Sequence, residues 1–279
     1  MVYKRYGTTF KNIRKQNNFT LSDFAEVGIP TSTLSDFERG LTVISLEKID
    51  LALQLMGYSL SDFDSHLNYY TITEPIHILI ELENAILLKD EHKLKELHEI
   101  CETTYQKYIC LTIKLKMSEA TIEEKNELID YLYDTKAFGV KELYIFYMLM
   151  PKLPPQDILN IMKRIKLYAK GMANSYNYHR HLSHVLIEVI IVLSTYGLKD
   201  EAYYFIQQIE NRNLAQSMLL RNLFEAAKGL WISHFQDKAS GITQVTRVLK
   251  ILHLAASPEV AEYYQEKFEK SMGLLGYEK

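Results

Sequence analysis

The side chains in this sequence that are best suited to chemistry are cations near its start, and the chemistry is phosphate binding. Lys11, Arg14 and Lys15 lie within the first eighteen residues, a stretch that contains no acidic residue, and Arg39 follows. Lys and Arg side chains bind the phosphates of nucleic acids. The net charge of the whole chain is −3, which argues against a uniformly basic, non-specific binder. A local DNA-binding face remains compatible with that charge.

Short polar side chains occupy the stretch that would approach the bases of DNA. Thr and Ser can bind a phosphate or touch a thymine methyl group, but bidentate base readout, worth about 1–3 kcal/mol per pair, comes mainly from Arg, Lys, Asn and Gln. We therefore expect phosphate contacts and DNA shape to carry much of the affinity and specificity. The residues of this stretch are Thr31, Ser32, Thr33, Ser35 and Asp36.

Asp36 is the acidic residue in this group, and phosphates would repel its carboxylate. Arg39 lies three residues further on, and Arg14 is a second candidate neighbour. We expect an internal ion pair that aims an arginine at DNA. The alternative is a carboxylate that accepts a hydrogen bond from cytosine N4.

The element that must position these side chains runs from Thr20 to Gly40. It contains two short segments, each with apolar residues three apart, which places each pair on one helical face. A tight turn, Gly28-Ile29-Pro30, separates the two segments. Two short helices joined by such a turn are typical of a helix-turn-helix. The apolar pairs are Leu21 with Phe24 and Leu34 with Phe37.

The neighbouring segments predict a head of five short helices over residues 1–66. A first helix from Tyr6 to Gln16 would bury Tyr6, Phe10 and Ile13. A capping pattern at Ser59 predicts the start of the fifth helix. This arrangement is that of a lambda-repressor-type DNA-binding domain. The fourth helix, which starts at Ser45, would bury Leu46, Ile49, Leu53 and Met56.

Residues 67–279 predict a second domain made of long helices with short connections. Helices of this length joined by short connections are typical of stacked helical hairpins, so we expect a degenerate tetratricopeptide-like repeat domain. A plain helical bundle is the alternative. The fold class is therefore all-α. The predicted helices are Pro75–Lys89, Glu91–Tyr108, Thr121–Thr135, Val140–Lys152, Pro155–Met172, His179–Tyr196, Lys199–Asn211, Ala215–Phe235, Ala239–Leu254 and Pro258–Met272.

The five-helix head, its FERG ending at Phe37 to Gly40 and the long helical remainder resemble the Rgg/GadR/MutR family of regulators from Gram-positive bacteria. The resemblance covers essentially the whole length, including the last predicted helix with its paired tyrosines, in LHLAASPEVAEYYQEKFEK. It implies a cytoplasmic, homodimeric transcription regulator. It also implies that a short signalling peptide binds the tetratricopeptide-like domain, as in quorum sensing.

Stacked helical hairpins form a concave surface that suits an extended peptide. Such a trough needs polar groups for the peptide backbone and aromatic or apolar pockets for its side chains. Each candidate is also compatible with an ordinary core or surface position. The candidate peptide-binding residues are Tyr144, Met148, Arg180, His184, Arg221, Asn222 and Trp231.

Enzyme chemistry finds no support in the sequence, and no cofactor is expected. A Gly-rich phosphate loop, a nucleophile elbow and a catalytic triad are all missing from it. His181, His184 and Glu188 were considered as metal ligands, but their order is not HExxH and we predict no metal site. Cys101 and Cys110 are the two cysteines and are not expected to face one another. No secretory signal or membrane-spanning segment is predicted.

The leading hypothesis is therefore a cytoplasmic regulator that binds promoter DNA as a homodimer and responds to a short peptide. A dimer is expected because paired half-sites need two heads. The first alternative is a DNA-binding scaffold that acts through a protein partner, such as RNA polymerase, without a peptide ligand. The second is a helical interaction protein whose head has lost DNA binding.

Overall fold

Helices account for all the regular secondary structure in the part of the chain that the structure describes. The structure is a computed structural model that describes residues 3–67, 74–104, 106–168, 176–212, 214–215 and 217–273. The chain divides into two compact units, Met1–Thr73 and Glu74–Lys279. We call them the head and the body. The predicted domain boundary at residues 66 and 67 lies one residue before the end of the last helix of the head.

The head contains five helical segments in the predicted order. They are α1 (Tyr3–Gln16), a 3₁₀ helix (Ser22–Val27), α2 (Thr31–Glu38), α3 (Leu46–Leu55) and α4 (Leu60–Leu67).

The second segment of the head is a 3₁₀ helix, whereas the sequence predicted an α-helix there. The segment is only six residues long, and 3₁₀ geometry is common in such short pieces. The Asp23 carboxylate accepts a hydrogen bond from the Thr20 backbone N–H at its start. Gly28 ends it with a left-handed φ of 72°. The turn into α2 therefore depends on a glycine.

The core of the head contains most of the predicted apolar anchors. Phe24, Leu34 and Phe37 are buried, and Phe10 packs edge-to-face against both Phe24 and Phe37. Tyr6 was predicted in this core but is 42% exposed.

Gly7 explains why Tyr6 lies outside the core. A Cβ atom on Gly7 would lie 1.9 Å from the Phe37 carbonyl oxygen, so α1 turns its glycine toward α2. Leu46 is a second correction, because it is 69% exposed. It is the first residue of α3, and the buried face of that helix begins at Ile49.

The body consists of eleven described α-helices and one short 3₁₀ helix. Ten of the α-helices correspond to predicted segments. The bounds are α5 (Glu74–Leu87), α6 (Glu91–Thr103), α7 (Lys107–Lys116), α8 (Ile122–Asp134), α9 (Val140–Leu149), a 3₁₀ helix (Met150–Lys152), α10 (Pro155–Tyr168), α11 (Tyr176–Thr195), α12 (Lys199–Arg212), α13 (Met218–Phe235), α14 (Lys238–Ala255) and α15 (Pro258–Ser271).

The helix α7 is missing from the sequence prediction, which joined part of it to α6. It begins at Lys107 and buries Ile109, Leu111, Ile113 and Leu115. Buried residues on more than one face hide the helical period. Cys101 of α6 and Cys110 of α7 are free thiols, and the Cys101 thiol donates to the Gln106 carbonyl oxygen at 3.3 Å.

The helices of the body pack mainly against helices that are close to them in sequence. The odd-numbered helices form one continuous layer. In it α5 contacts α7, α7 contacts α9, α9 contacts α11, and α11 contacts α13. Even-numbered helices pack against this layer. The helix α6 contacts α5 and α7, α8 contacts α7, α12 contacts α11 and α13, and α14 contacts α13. The last helix, α15, contacts α5, α11 and α13, in addition to its neighbour α14. This packing is typical of helical-repeat proteins.

Candidate functional site

The exposed side of α2 carries the residues predicted to approach DNA. Thr31, Ser32 and Arg39 are exposed, whereas Thr33, Ser35 and Asp36 are half-buried. Pro30 precedes the helix and supplies no side-chain cap. The first backbone N–H groups of α2 are therefore available to an external acceptor such as a phosphate or a base.

Asp36 and Arg39 form the expected ion pair on this face, between Asp36 Oδ1 and Arg39 Nη2. Both side chains remain accessible, at 44% exposed for Asp36 and 60% for Arg39. The pair keeps the guanidinium on the outer surface of α2 while it neutralises the carboxylate.

Arg14 lies in the interior of the head, although the sequence predicted it as a phosphate ligand. Its guanidinium donates to Glu38 through Nε at 2.5 Å and Nη2 at 2.8 Å, and through Nη1 to the Phe19 carbonyl oxygen at 2.8 Å. The Glu38 carboxylate raises the pKa of Arg14. We therefore exclude Arg14 from the DNA-binding face, because it is fully committed to holding α1 against the end of α2.

Lys11 and Lys15 are the remaining predicted phosphate ligands. Lys15 is exposed and Lys11 is half-buried. A different lysine, Lys48 of α3, donates to the Gly28 carbonyl oxygen at 2.9 Å and holds the turn that leads into α2. Glu38 and Lys48 carry no local signal in the sequence, because their partners lie 24 and 20 residues away.

The body contains a cavity of about 230 Å³, lined by both polar and apolar side chains, that brings together three of the predicted peptide-binding residues. These are Tyr144 of α9 and Arg180 and His184 of α11. We call this space the main cavity because it holds these predicted residues, although an apolar pocket of about 490 Å³ among α10, α11 and α12 is larger. Its other lining residues are Glu83, Asn84, Leu87, Leu143, Tyr147, His181, Leu219, Val260 and Tyr264.

Burial controls the ionisation of the groups in the main cavity. It lowers the pKa values of His181 and His184 to about 4, so both imidazoles are neutral at neutral pH. It raises the pKa of Tyr144, whose ring centroid lies 4.4 Å from that of His181, to about 12. It also raises the pKa of Glu83, although Arg180 and Lys267 act in the opposite direction. The cavity thus offers neutral donors and acceptors beside a few charges.

A smaller space of about 20 Å³ adjoins the main cavity, and we call it the chamber. The two share the lining residues Glu83, Leu87, Tyr147 and Tyr264. Met148, another predicted peptide-binding residue, lines the chamber. The charged groups of the chamber are Glu83, Lys116, Glu188 and Lys267.

Lys267 of α15 closes one side of the chamber. It forms an ion pair with Glu188 of α11, whose side chain is 4% exposed. Its ammonium also lies 5.6 Å from the ring centroid of Tyr147 and 5.7 Å from that of Tyr263. The nearby Glu188 and tyrosines raise the pKa of Lys267 against the opposing effect of burial. These contacts fasten the last helix to α9 and α11.

Three predicted peptide-binding residues lie outside both spaces. Arg221 pairs with Glu225 at 3.3 Å, one turn along α13. The Asn222 amide donates to the Met218 carbonyl oxygen at 2.9 Å. These two residues satisfy their polar groups within their own helix.

Trp231 is the third of these residues. It is 5% exposed, and its indole N–H donates to the Lys199 carbonyl oxygen at 3.0 Å. Its ring stacks on Tyr203 at 5.1 Å. Trp231 therefore packs α13 against α12 instead of lining the trough.

Among the described residues, no three His, Cys, Asp or Glu side chains are grouped as metal ligands. Glu188 pairs with Lys267, and the ring of His184 faces that of Tyr147 at 6.3 Å. The lining residues that the sequence did not predict come mainly from α5 and α15. The paired tyrosines Tyr263 and Tyr264 were the available signal for α15.

Comparison with known proteins identifies both parts of the chain. The model of the Rgg C-terminal domain, from HTH-type transcriptional regulators, matches residues 81–266. This chain belongs to the Rgg family. A helix-turn-helix model matches residues 10–63, which span the head described above. The chain is therefore an Rgg-type helix-turn-helix transcription regulator, a DNA-binding family that is not one of enzymes.

Solved structures share the fold of this Rgg-family chain. The SHP pheromone receptor Rgg2 from Streptococcus dysgalactiae is 21% identical with a TM-score of 0.77, over 95% of this chain and 99% of that one. A transcriptional regulator from Listeria monocytogenes EGD-e is 15% identical with a TM-score of 0.75, over 96% and 98% of the two chains. The PrgX/cCF10 complex is 14% identical with a TM-score of 0.71, over 95% and 99%.

These matches confirm the predicted fold class, an all-α chain with a helix-turn-helix head followed by a helical-repeat domain. Within the described ranges, no helix has both the length and the apolar character needed to cross a membrane.

Proposed function

We propose that this Rgg-family regulator acts in the cytoplasm as a homodimer, and that a short signalling peptide bound in the body controls it. The main cavity is the observation that carries this proposal. It combines Tyr144, Arg180 and two neutral histidines with apolar side chains, which is the mixture that holds a peptide backbone and its side chains. A volume of about 230 Å³ suits part of a peptide, since sites for whole drug-sized ligands are about 300–1,000 Å³.

The exposed face of α2 supports the DNA-binding half of the proposal. It presents Thr31, Ser32 and Arg39 together with uncapped backbone N–H groups. One head can contact only a few base pairs, so two heads on paired half-sites are needed for a specific site. The exposed cations Lys15 and Arg39, with Lys11 at the edge of α1, would bind phosphates.

The peptide can control DNA binding only if it prefers one arrangement of the dimer. Equal affinity for two arrangements would shift nothing, whereas a preference converts binding energy into a population change. The main cavity is lined by residues from α5, α9, α11, α13 and α15. A ligand that occupies it would contact both ends of the helical layer, and so would favour one curvature of the body.

A salt titration of promoter binding tests the DNA-binding half. Lys15→Ala and Arg39→Ala should each weaken binding across sequences and reduce the salt slope by about one. The matched control is Lys95→Ala, which removes an exposed lysine from the body and should leave the slope unchanged. If the salt slope is the same in the parent and in all three variants, the DNA-binding half of the proposal fails.

Calorimetry with synthetic peptides encoded beside this gene tests the peptide half. A binding peptide should also raise the melting temperature, because it stabilises the folded body by mass action. Tyr144→Ala should remove binding, whereas Arg221→Ala should not, because Arg221 pairs with Glu225 away from the cavity. If none of the peptides binds, the peptide half of the proposal fails.

A DNA-binding scaffold that acts through a protein partner is the second candidate. The head exposes apolar side chains that its own core does not cover, namely Leu41 at 65%, Val43 at 60% and Leu46 at 69%. Exposed apolar patches are typical of protein interfaces. DNA binding without any peptide response, combined with capture of RNA polymerase by the head, would favour this candidate.

A further inference from the structure

Lys116, the last residue of α7, is a cation for which the described residues supply no ion pair or hydrogen bond. The carboxylate that acts on it is that of Glu188, which is already paired with Lys267. Lys152 adds a further positive charge nearby. Two lysines therefore share one carboxylate at this end of the chamber. Burial lowers the pKa of Lys116 to about 8, so its ammonium is still mostly charged at neutral pH.

Glu83 does not supply the negative charge that Lys116 lacks. It lies where the chamber meets the main cavity, and the cations that act on it are Arg180 and Lys267. Burial raises its pKa, which weakens it further as a counter-ion. A desolvated cation without a partner is unfavourable, and a bound anion would remove that penalty.

The size of the chamber limits what that anion can be. About 20 Å³ is room for roughly one water molecule or a group of similar size. The lining side chains Tyr147, Tyr263 and Tyr264 can contribute hydroxyl donors beside the Lys116 ammonium. A single carboxylate group fits this space and charge, whereas a phosphate is larger and more highly charged.

We propose that the chamber is a carboxylate-binding subsite in which Lys116 receives the free C-terminal carboxylate of a ligand that enters from the main cavity. This inference deepens the peptide-binding proposal and rests on it. The chamber lies directly beside the main cavity, because Tyr147 and Tyr264 line both spaces. The peptide would therefore end in the chamber, with its preceding residues beside Tyr144 and His184. The chamber would thus set the direction in which the peptide lies.

The first test compares a binding peptide with its C-terminal amide by calorimetry. Loss of one charge-assisted hydrogen bond should make the amide about 10- to 100-fold weaker. Lys116→Met should weaken the free acid by a similar factor and leave the amide unchanged. The matched control is Lys152→Met, which removes a neighbouring exposed lysine that does not line the chamber. Equal affinity of acid and amide would overturn the subsite.

A second test separates failure of the subsite from failure of the peptide proposal. N-acetyl-leucine and N-acetyl-leucinamide are added at the same millimolar concentration, with sodium chloride matching the ionic strength, and the melting temperature is measured. Only the acid should stabilise the protein, and Lys116→Met should abolish that effect while the unliganded variant is at least as stable as the parent, because it no longer buries an unpaired charge. Stabilisation by the acid without binding of any encoded peptide would overturn the peptide ligand and support the subsite. No stabilisation by the acid would overturn the subsite, whichever peptides bind.

Discussion

Arg14 and Glu38 form a buried bidentate ion pair that joins α1 to the end of α2, the helix proposed to face DNA. Their side chains are only 8% and 5% exposed. The third donor of the guanidinium, Nη1, reaches the Phe19 carbonyl oxygen, so the same arginine also holds the chain that leaves α1. The orientation of α2 therefore depends on an ion pair that is buried inside the head.

Glu38→Ala should unfold or severely destabilise the head. Breaking a buried pair leaves an uncompensated charge, which costs about 3–5 kcal/mol. That is most of the stability expected for a domain of this size. Chemical denaturation followed by circular dichroism should show the loss, and promoter binding should disappear with it.

Two further variants make this prediction specific. Glu26→Ala removes an exposed carboxylate from the 3₁₀ helix and should change stability by less than about 0.5 kcal/mol. Replacing both partners, Arg14→Met together with Glu38→Leu, should recover much of the stability, since no charge is left buried. A double variant as unstable as Glu38→Ala alone would contradict this account.

Asp36→Ala should change the sequence preference of DNA binding very little. The Asp36 carboxylate is paired with Arg39, so its main effect is to neutralise and orient that guanidinium. Overall affinity should rise slightly at low salt, because a negative charge leaves the DNA-facing surface. Binding to a randomised-site library measures the preference. A large change at one base position would show that Asp36 reads a base.

The stability of the body should fall as the pH drops from about 6.5 to about 4. His181 and His184 have folded-state pKa values of about 4, below the ordinary value of about 6.5. In this interval the unfolded chain binds more protons than the folded one, so acid favours unfolding. Each histidine contributes at most about 1.4 kcal/mol per pH unit.

Substitution of one histidine checks the sign and the source of this effect. His184→Gln should flatten the dependence of the unfolding free energy on pH between 4 and 6.5. His92→Gln is the control, because His92 is exposed on α6, and it should leave the slope as it is. Denaturant titrations at several pH values provide the measurement. Parallel curves for His184→Gln and the parent would refute the assignment.

Gly241→Ala should destabilise the body by about 1–3 kcal/mol through overpacking. A Cβ atom at this position would lie 2.3 Å from the Ser233 backbone nitrogen and 2.5 Å from the Gly229 carbonyl oxygen. The helices α13 and α14 would have to separate. Ser240→Ala, at an exposed neighbouring position, should have little effect on the melting temperature.

Most helices were predictable because their signals are local. The spacing of Leu34 and Phe37 places both in the core of the head. Thr121 forms the capping box that starts α8, with Glu124 as its partner. The exceptions have physical causes. The 3₁₀ helix is too short for its apolar spacing to reveal its geometry, and α7 is buried on more than one face.

The candidate sites were predictable only in part. Tyr144, Arg180 and His184 do meet in one cavity. Arg14 and Trp231 were assigned to binding because of their residue types, yet they satisfy their polar groups inside the protein. No motif in the sequence marked Lys116 as a candidate binding residue. Its proposed role depends on the lack of an ion-pair partner among the described residues of the folded protein, which only the structure shows.

The sequence by itself determined the all-α class and the helix-turn-helix head, because these depend on periodicity, capping and turns within about twenty residues. The family followed from a resemblance of the head and the long helical remainder, which the match to the Rgg C-terminal domain confirmed. Tertiary structure decided which charges pair with each other and which remain for a ligand. Glu188 and Lys267 are 79 residues apart, and Lys89 and Glu266 are 177 residues apart. Contacts at such separations depend on how the helices pack, and no local pattern encodes them.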